Sequence, residues 1–218
     1  MNNNLTEMVF ILDRSGSMSG LESDTIGGYN AMLEKQRKEE GEAFVTTVLF
    51  DDRYEVLHDR ADIKKVSPLT EGEYYVRGTT ALLDAIGKSI NNTVRNIAHS
   101  HEQNIPSKVL FVIITDGMEN ASREFTYEKI KEMIEHEKNK YSWEFIFLGA
   151  NIDAIATAAR FGINEDRASN YHADSEGTKL NYEAVSCFVS EMRAGKVMDR
   201  SWKGKIEEDY EKRKKHNR

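Results

Sequence analysis

The chain holds a single cysteine, Cys187, and only two prolines in 218 residues. One thiol cannot close a disulfide within the chain, nor build a cysteine-ligated zinc site. No apolar run approaches the roughly 20 residues that span a bilayer. The opening MNNNLTE has neither the basic start nor the apolar stretch of a secretory leader. Basic residues are also in deficit, with 30 Lys and Arg against 37 Asp and Glu and a formal net charge of −7. A general attraction to nucleic acid or anionic membrane is therefore not expected. These absences lead us to expect a soluble cytoplasmic protein with no membrane partner and no nucleic acid.

The hydrophobic content of 39% is enough for one good-sized core. It arrives in short, separate runs. Met8–Leu12 is rich in β-formers and ends at Asp13, which reads as a buried strand. Lys108–Ile114 (KVLFVII) is a second, ending in Thr115-Asp116-Gly117. Trp143–Leu148 is a third. Ala43–Phe50 and Tyr54–His58, joined by Asp51-Asp52-Arg53, read as a hairpin. Arg167–Tyr171 reads as a short edge strand.

Helical spacing fills the gaps. Ile26, Tyr29 and Leu33 share one face after the first strand. Gly27-Gly28 lie inside that helix, where each costs about 1 kcal/mol against alanine; close approach to neighbouring strands would explain them. Leu83, Ile86, Ile90, Val94 and Ile97 define a helix starting near Ala81. Further helices are expected from about Thr126, over Ile152–Phe161, and along Leu180, Ala184, Phe188 and Met192. Cys187, among Val185, Phe188 and Val189, reads as a buried small thiol. After Met198 the chain is highly charged, and a frayed helix or disordered tail is expected there.

Strands alternating with helices argue for an α/β fold, a mostly parallel sheet covered on both faces. In such a sheet, functional residues gather at the carboxyl ends of the strands. Asp13, Ser15 and Ser17 follow the first strand, Thr80 stands just before the helix at Ala81, and Asp116 ends the KVLFVII strand. All five offer oxygen ligands and none offers nitrogen or sulfur, which suits Mg²⁺, Ca²⁺ or Mn²⁺. Gly16 lets the loop curl between the serines, and Gly117 gives the same freedom after Asp116.

Asp13-Arg-Ser15-Gly-Ser17, Gly78-Thr-Thr80-Ala-Leu and Thr115-Asp116-Gly117 together resemble the von Willebrand factor type A (VWA) family, most closely its intracellular bacterial and phage members. In that family the three pieces form a metal-ion-dependent adhesion site. The resemblance spans about residues 5–193. It implies a VWA domain over residues 1–195, followed by a charged tail over 196–218. It further implies a Rossmann-like, doubly wound sheet of six strands with one antiparallel edge strand. The metal ligands would be Asp13, Ser15, Ser17, Thr80 and Asp116, the hydroxyls direct and the carboxylates direct or through water. The family threonine usually follows a glycine pair; here Gly78-Thr79 stands in that place, so Thr79 is the alternative to Thr80.

A site of mostly neutral hydroxyls leaves the ion attractive to an outside carboxylate. The reading that follows is a Mg²⁺-dependent protein-binding module, not an enzyme, which captures an Asp or Glu of an unidentified partner. By the same resemblance, the partner could sit in an ATPase-linked complex. The alternative is a metal-dependent phosphohydrolase with Asp13 as nucleophile. Enzymes of that type need a second acid two residues later, where this chain has Ser15. No lysine-bearing phosphate loop or Ser-His-Asp motif is present.

Several weaker features admit two readings. Glu119 and Asn120 are rim groups or loop and cap residues, and His172 and Asp174 fall near the same edge. Asp51-Asp52 reads better as a hairpin turn than as a second cation site. Asn151 reads as a helix cap. The other histidines show no metal-ligand spacing, and His99 and His101 sit at a helix end. The basic tail from Lys196 to Arg218 admits contact with nucleic acid or an acidic partner, but it reads better as solvated, since Glu207, Glu208 and Asp209 interrupt it.

Overall fold

A computed structural model describes residues 2–216. Six strands form one sheet: β1 (Asn2–Asp13), β2 (Glu42–Phe50), β3 (Tyr54–Asp62), β4 (Pro106–Thr115), β5 (Glu144–Gly149) and β6 (Ala168–Asn170). Six α-helices cover it: α1 (Glu22–Arg37), α2 (Leu82–Ala98), α3 (Tyr127–Tyr141), α4 (Ala154–Arg160), α5 (Ser175–Arg193) and α6 (Gly204–His216). The spatial order is β3-β2-β1-β4-β5-β6. All neighbours run parallel except β2 and β3, so β3 is the antiparallel edge strand.

The order reverses direction at β1. The chain leaves β1 toward β2 and β3, then crosses back through α2 to enter β4 on the other side of β1. That opens a crevice above the carboxyl ends of β1 and β4, the switch point of a doubly wound sheet.

Strand alternation sorts the core into two layers. Met8, Phe10 and Leu12 face α1 and α5, with Tyr29, Leu33, Val185 and Phe188 packed on them. Val9 and Ile11 face the opposite layer, with Ile86 and Ile90 of α2, Ile130 and Ile134 of α3, and Ala154 and Ala158 of α4. The central strands are apolar on both faces because both faces are covered.

Four expectations need correction. A Cβ added at Gly28 would overlap the Tyr182 ring, while one at Gly27 would meet nothing. Gly28 therefore admits α5, not a strand. Cys187 is exposed, lying between the buried positions Ser186 and Phe188 on the outward side of α5. Asn151 takes a left-handed turn with φ of 54°, and Asp153 caps α4 by accepting from the Ala156 N–H at 3.0 Å.

The segment after Met198 is also more ordered than expected. Asp199 caps a 3-10 turn over Arg200–Lys203, and α6 follows. Trp202 and Ile206 enter the core. The Trp202 indole donates to the Asp166 carbonyl, and the buried Lys203 amine donates to the carbonyls of Glu165 and Ala168. A few large apolar anchors and satisfied donors hold a helix whose sequence is otherwise polar. Asn217 and Arg218, the end of the basic run, lie outside the described residues. Among the described residues no helix is long and apolar enough to cross a membrane.

Candidate metal centre

The crevice between β1 and β4 is floored by two aspartates. Asp13 ends β1 and Asp116 follows β4, and both side chains are buried. The Asp13 carboxylate is held from two sides. One oxygen accepts the Ser15 N–H at 2.7 Å and the other accepts the Thr115 hydroxyl at 2.5 Å. Burial pushes this carboxyl up to about 6, the Thr115 and Ser15 contacts oppose that, and the charge of Asp116 adds to it. Asp116 differs: neither carboxylate oxygen has a hydrogen-bond partner, although both are out of contact with solvent. Burial raises its pKa as well, with the nearby Ser17 hydroxyl opposing. Among the described residues neither aspartate has a basic partner.

Three hydroxyls converge on the same place. Ser15 and Ser17 lie on the loop after β1, their oxygens 3.0 Å apart. Thr80 precedes α2 and is buried, whereas Thr79 is exposed. The convergence is measured by the space beside Gly117. A Cβ built there would sit 3.0 Å from the Ser17 oxygen, 3.0 Å from the Thr80 oxygen and 3.8 Å from the Ser15 oxygen. The structure thus brings Asp13, Ser15, Ser17, Thr80 and Asp116 to one edge.

Two loops support this arrangement. The Gly16 N–H donates to the Gly78 carbonyl at 3.2 Å, binding the serine loop to the threonine loop. Asn120 accepts from the Thr80 N–H at 2.8 Å and returns a bond from its own N–H to the Thr80 carbonyl at 3.0 Å. Glu119 accepts from the N–H of Leu83 in the first turn of α2. These two residues therefore hold the threonine loop and cap the helix behind it. In return the buried Asp84 of α2 accepts the N–H groups of Arg123, Glu124 and Phe125. A reciprocal cap of this kind has no local sequence pattern, because its halves lie about 40 residues apart.

The other residues weighed from sequence do not join the site. Asp174 caps α5 through the Gly177 N–H and pairs with Arg213 of α6, and His172 stacks on Tyr210. Asp51 is fully buried at the β2–β3 turn. One of its oxygens accepts the Arg53 N–H, and the other accepts from the guanidiniums of Arg14 and Arg77. With two guanidiniums already paired to it, Asp51 is not a second cation site.

Among the described residues no three His, Cys, Asp or Glu side chains gather as metal ligands. The crevice offers two carboxylates and three hydroxyls instead. A pair of buried acids without a basic partner, one with both oxygens unpaired, is the arrangement a hard divalent cation would satisfy. The residues present fit such an ion.

The sequence matches no family model and no curated protein. Solved structures do match. One is proximal thread matrix protein 1 from the mussel byssus with a zinc-occupied MIDAS motif, at a TM-score of 0.59 and 15% identity over 86% of this chain and 46% of that one. Another is the ArnB paralog VWA2 from Sulfolobus acidocaldarius, at 0.53 and 17% over 84% and 45%. A third is the pilus adhesin SpaC from Lactobacillus rhamnosus GG in an open conformation, at 0.65 and 10% over 88% and 31%. The chain spans less than half the length of each. At such low identities the likeness is one of fold, and the fold is that of VWA domains.

Proposed function

We propose that this protein is a metal-dependent protein-binding module, with Ser15, Ser17, Thr80, Asp116 and Asp13 holding a divalent cation. Mg²⁺ suits the all-oxygen donor set best, and Ca²⁺ and Mn²⁺ suit it also. The observation that carries the reading is Asp116, buried with both carboxylate oxygens unpaired beside three convergent hydroxyls. When bound, the ion supplies a positive centre able to take a carboxylate oxygen from an Asp or Glu of a partner.

The residues divide the work. Ser15, Ser17 and Thr80 donate neutral oxygens and leave the charge at the centre largely unquenched. Asp116 supplies negative charge from the β4 side. Asp13, pinned by Thr115 and the Ser15 N–H, orients the serine loop from beneath. Asn120 and Glu119 keep Thr80 and the start of α2 in place.

No observation favours the phosphohydrolase reading. The residue two positions beyond Asp13 is Ser15, which cannot act as the second acid.

The test uses Mn²⁺ as the probe ion and water-proton relaxation as the readout of open coordination positions. Wild type should bind Mn²⁺, and an Asp- or Glu-bearing peptide should displace the relaxing water where its Asn or Gln analogue does not. Ser15→Ala and Asp13→Ala should lose both effects while keeping the far-ultraviolet spectrum. Peptide capture that survives EDTA would overturn the mechanism, as would wild-type protein that takes no divalent ion.

A further inference from the structure

Arg14 stands between Asp13 and Ser15 and is wholly buried. A guanidinium with no exposure must be paired, and this one is paired on every side. Its Nε donates to Asp51 at 3.1 Å, one terminal nitrogen to the Glu73 carbonyl at 3.0 Å, and the other to Glu55 at 2.5 Å. The Arg14 N–H donates to the Phe50 carbonyl at 2.8 Å, just before Asp51. Asp51 also takes the Arg77 guanidinium at 2.7 Å, and the Tyr75 ring lies against both arginines.

The same residues fasten the backbone on both sides of the crevice. The Arg77 N–H donates to the Arg14 carbonyl at 2.9 Å, and the Ala81 N–H to the Asp51 carbonyl at 2.8 Å. Tyr74, from the same loop as Arg77, donates its hydroxyl to the Asp13 carbonyl at 2.5 Å. Ser15 therefore follows a residue locked to Asp51, and Thr80 precedes one locked to Asp51. The β2–β3 turn thus connects the loop that carries Ser15 with the loop that carries Thr80.

We propose that Asp51 and Arg14 are positioning residues, whose buried ion network sets the spacing between the Ser15–Ser17 loop and Thr80. This rests on the reading that those loops hold a divalent cation. Groups that orient metal ligands from behind commonly change affinity by about 10- to 100-fold when lost. Burial gives the network its leverage, because a guanidinium or carboxylate left alone there has no water to turn to.

The experiment compares Asp51→Asn and Arg14→Lys with two controls. Glu55→Gln removes only the half-exposed arm of the network, and Ile134→Val loosens the core on α3, away from the crevice. Mn²⁺ affinity is measured by calorimetry, and exchange of the Gly16, Arg77 and Ala81 amides is followed in EDTA. Asp51→Asn and Arg14→Lys should each weaken Mn²⁺ by about 10- to 100-fold, and should speed exchange at those three amides more than elsewhere. Glu55→Gln and Ile134→Val should leave the affinity near wild type. Asp51→Asn binding Mn²⁺ as wild type does would overturn the proposal, as would a loss no greater than that of Ile134→Val. If Asp51→Asn does not fold, Arg14→Lys provides both readouts, and wild-type affinity in it overturns the proposal equally. If wild type takes no Mn²⁺, the binding reading falls, and amide exchange alone decides this one. Selective loosening at Gly16, Arg77 and Ala81 upholds it, and uniform exchange refutes it.

Discussion

Two stretches of the same sheet edge use aspartate in opposite ways. Beyond β5 and β6, Asp153 caps α4, and Asp174 caps α5 and pairs with Arg213. Between β1 and β4, Asp116 is buried and neither of its oxygens makes a hydrogen bond of ordinary geometry, although the Ser17 hydroxyl lies near enough to favour its charge. Asp84, on α2 behind that crevice, belongs with the first group, since it accepts three N–H bonds of 2.9 to 3.0 Å. A carboxylate enclosed by N–H groups is explained by the fold alone. One that is buried without donors is a standing energetic deficit of a few kcal/mol unless something outside the chain relieves it.

The comparison breaks most visibly at these two residues. Asp116→Ala should remove divalent-ion binding by more than the roughly 100-fold that outer-sphere losses reach. The metal-free protein should unfold no more easily than wild type, because a buried, unpaired acid has been taken away. Asp84→Ala should do the reverse to stability, lowering it by about 3 kcal/mol as three N–H groups lose a charged acceptor. Denaturant melts in EDTA and Mn²⁺ calorimetry on both variants measure the contrast. If Asp116→Ala destabilises as much as Asp84→Ala does, Asp116 is structural and the division fails.

Two glycines at strand ends sharpen the same division. A Cβ at Gly117 would enter the space among the Ser17 and Thr80 hydroxyls. A Cβ at Gly149 would press on the Ala154 Cβ at 2.8 Å and the Ile152 Cδ1 at 2.9 Å. Gly149→Ala should therefore cost about 1–3 kcal/mol through overpacking and leave ion binding alone. Gly117→Ala should block the ion and change stability by less than about 1 kcal/mol, since rotatable hydroxyls yield more easily than a packed core. Thermal melts with and without Mn²⁺ read both effects.

What the sequence made legible follows from local signals. β1, β4 and β5 contain the uninterrupted apolar runs Met8–Leu12, Val109–Ile114 and Phe145–Leu148, and α2 has five apolar residues on one face. The doubly wound architecture follows from their alternation, and it carries Asp13, Ser15, Ser17, Thr80 and Asp116 to one edge. What stayed hidden depends on partners far along the chain. Arg14 looks like a solvated loop residue until Asp51, Glu55 and Glu73 are folded around it. Thr115 looks like the last residue of a strand, yet its hydroxyl fixes Asp13 across 102 positions. Cys187 sits in an apolar neighbourhood of sequence but one step off the buried face of α5. α6 is too polar for its periodicity to register, and its order comes from Trp202, Lys203 and Ile206.

The smallest expected effect tests the satisfied side of the comparison through pH. The carboxyl of Asp174 is partly buried, which by itself would raise its pKa. The Arg213 guanidinium and the Gly177 N–H outweigh that and hold it below the ordinary 3.8. A folded-state value below the unfolded one means that ionisation favours the native state. The stabilisation is complete above the unfolded value and is lost as pH falls through the folded one, so it should be constant near neutrality and fade in acid below about pH 4. Carboxyl-carbon NMR of wild type should show Asp174 titrating below the ordinary 3.8. In Arg213→Gln the midpoint should move up toward the ordinary value, and exchange should quicken in the amides of α6 and the first turn of α5. An unmoved midpoint would mean that the helix cap alone sets the charge of Asp174, and that the Arg213 pair adds nothing to the Trp202, Lys203 and Ile206 anchors that hold α6.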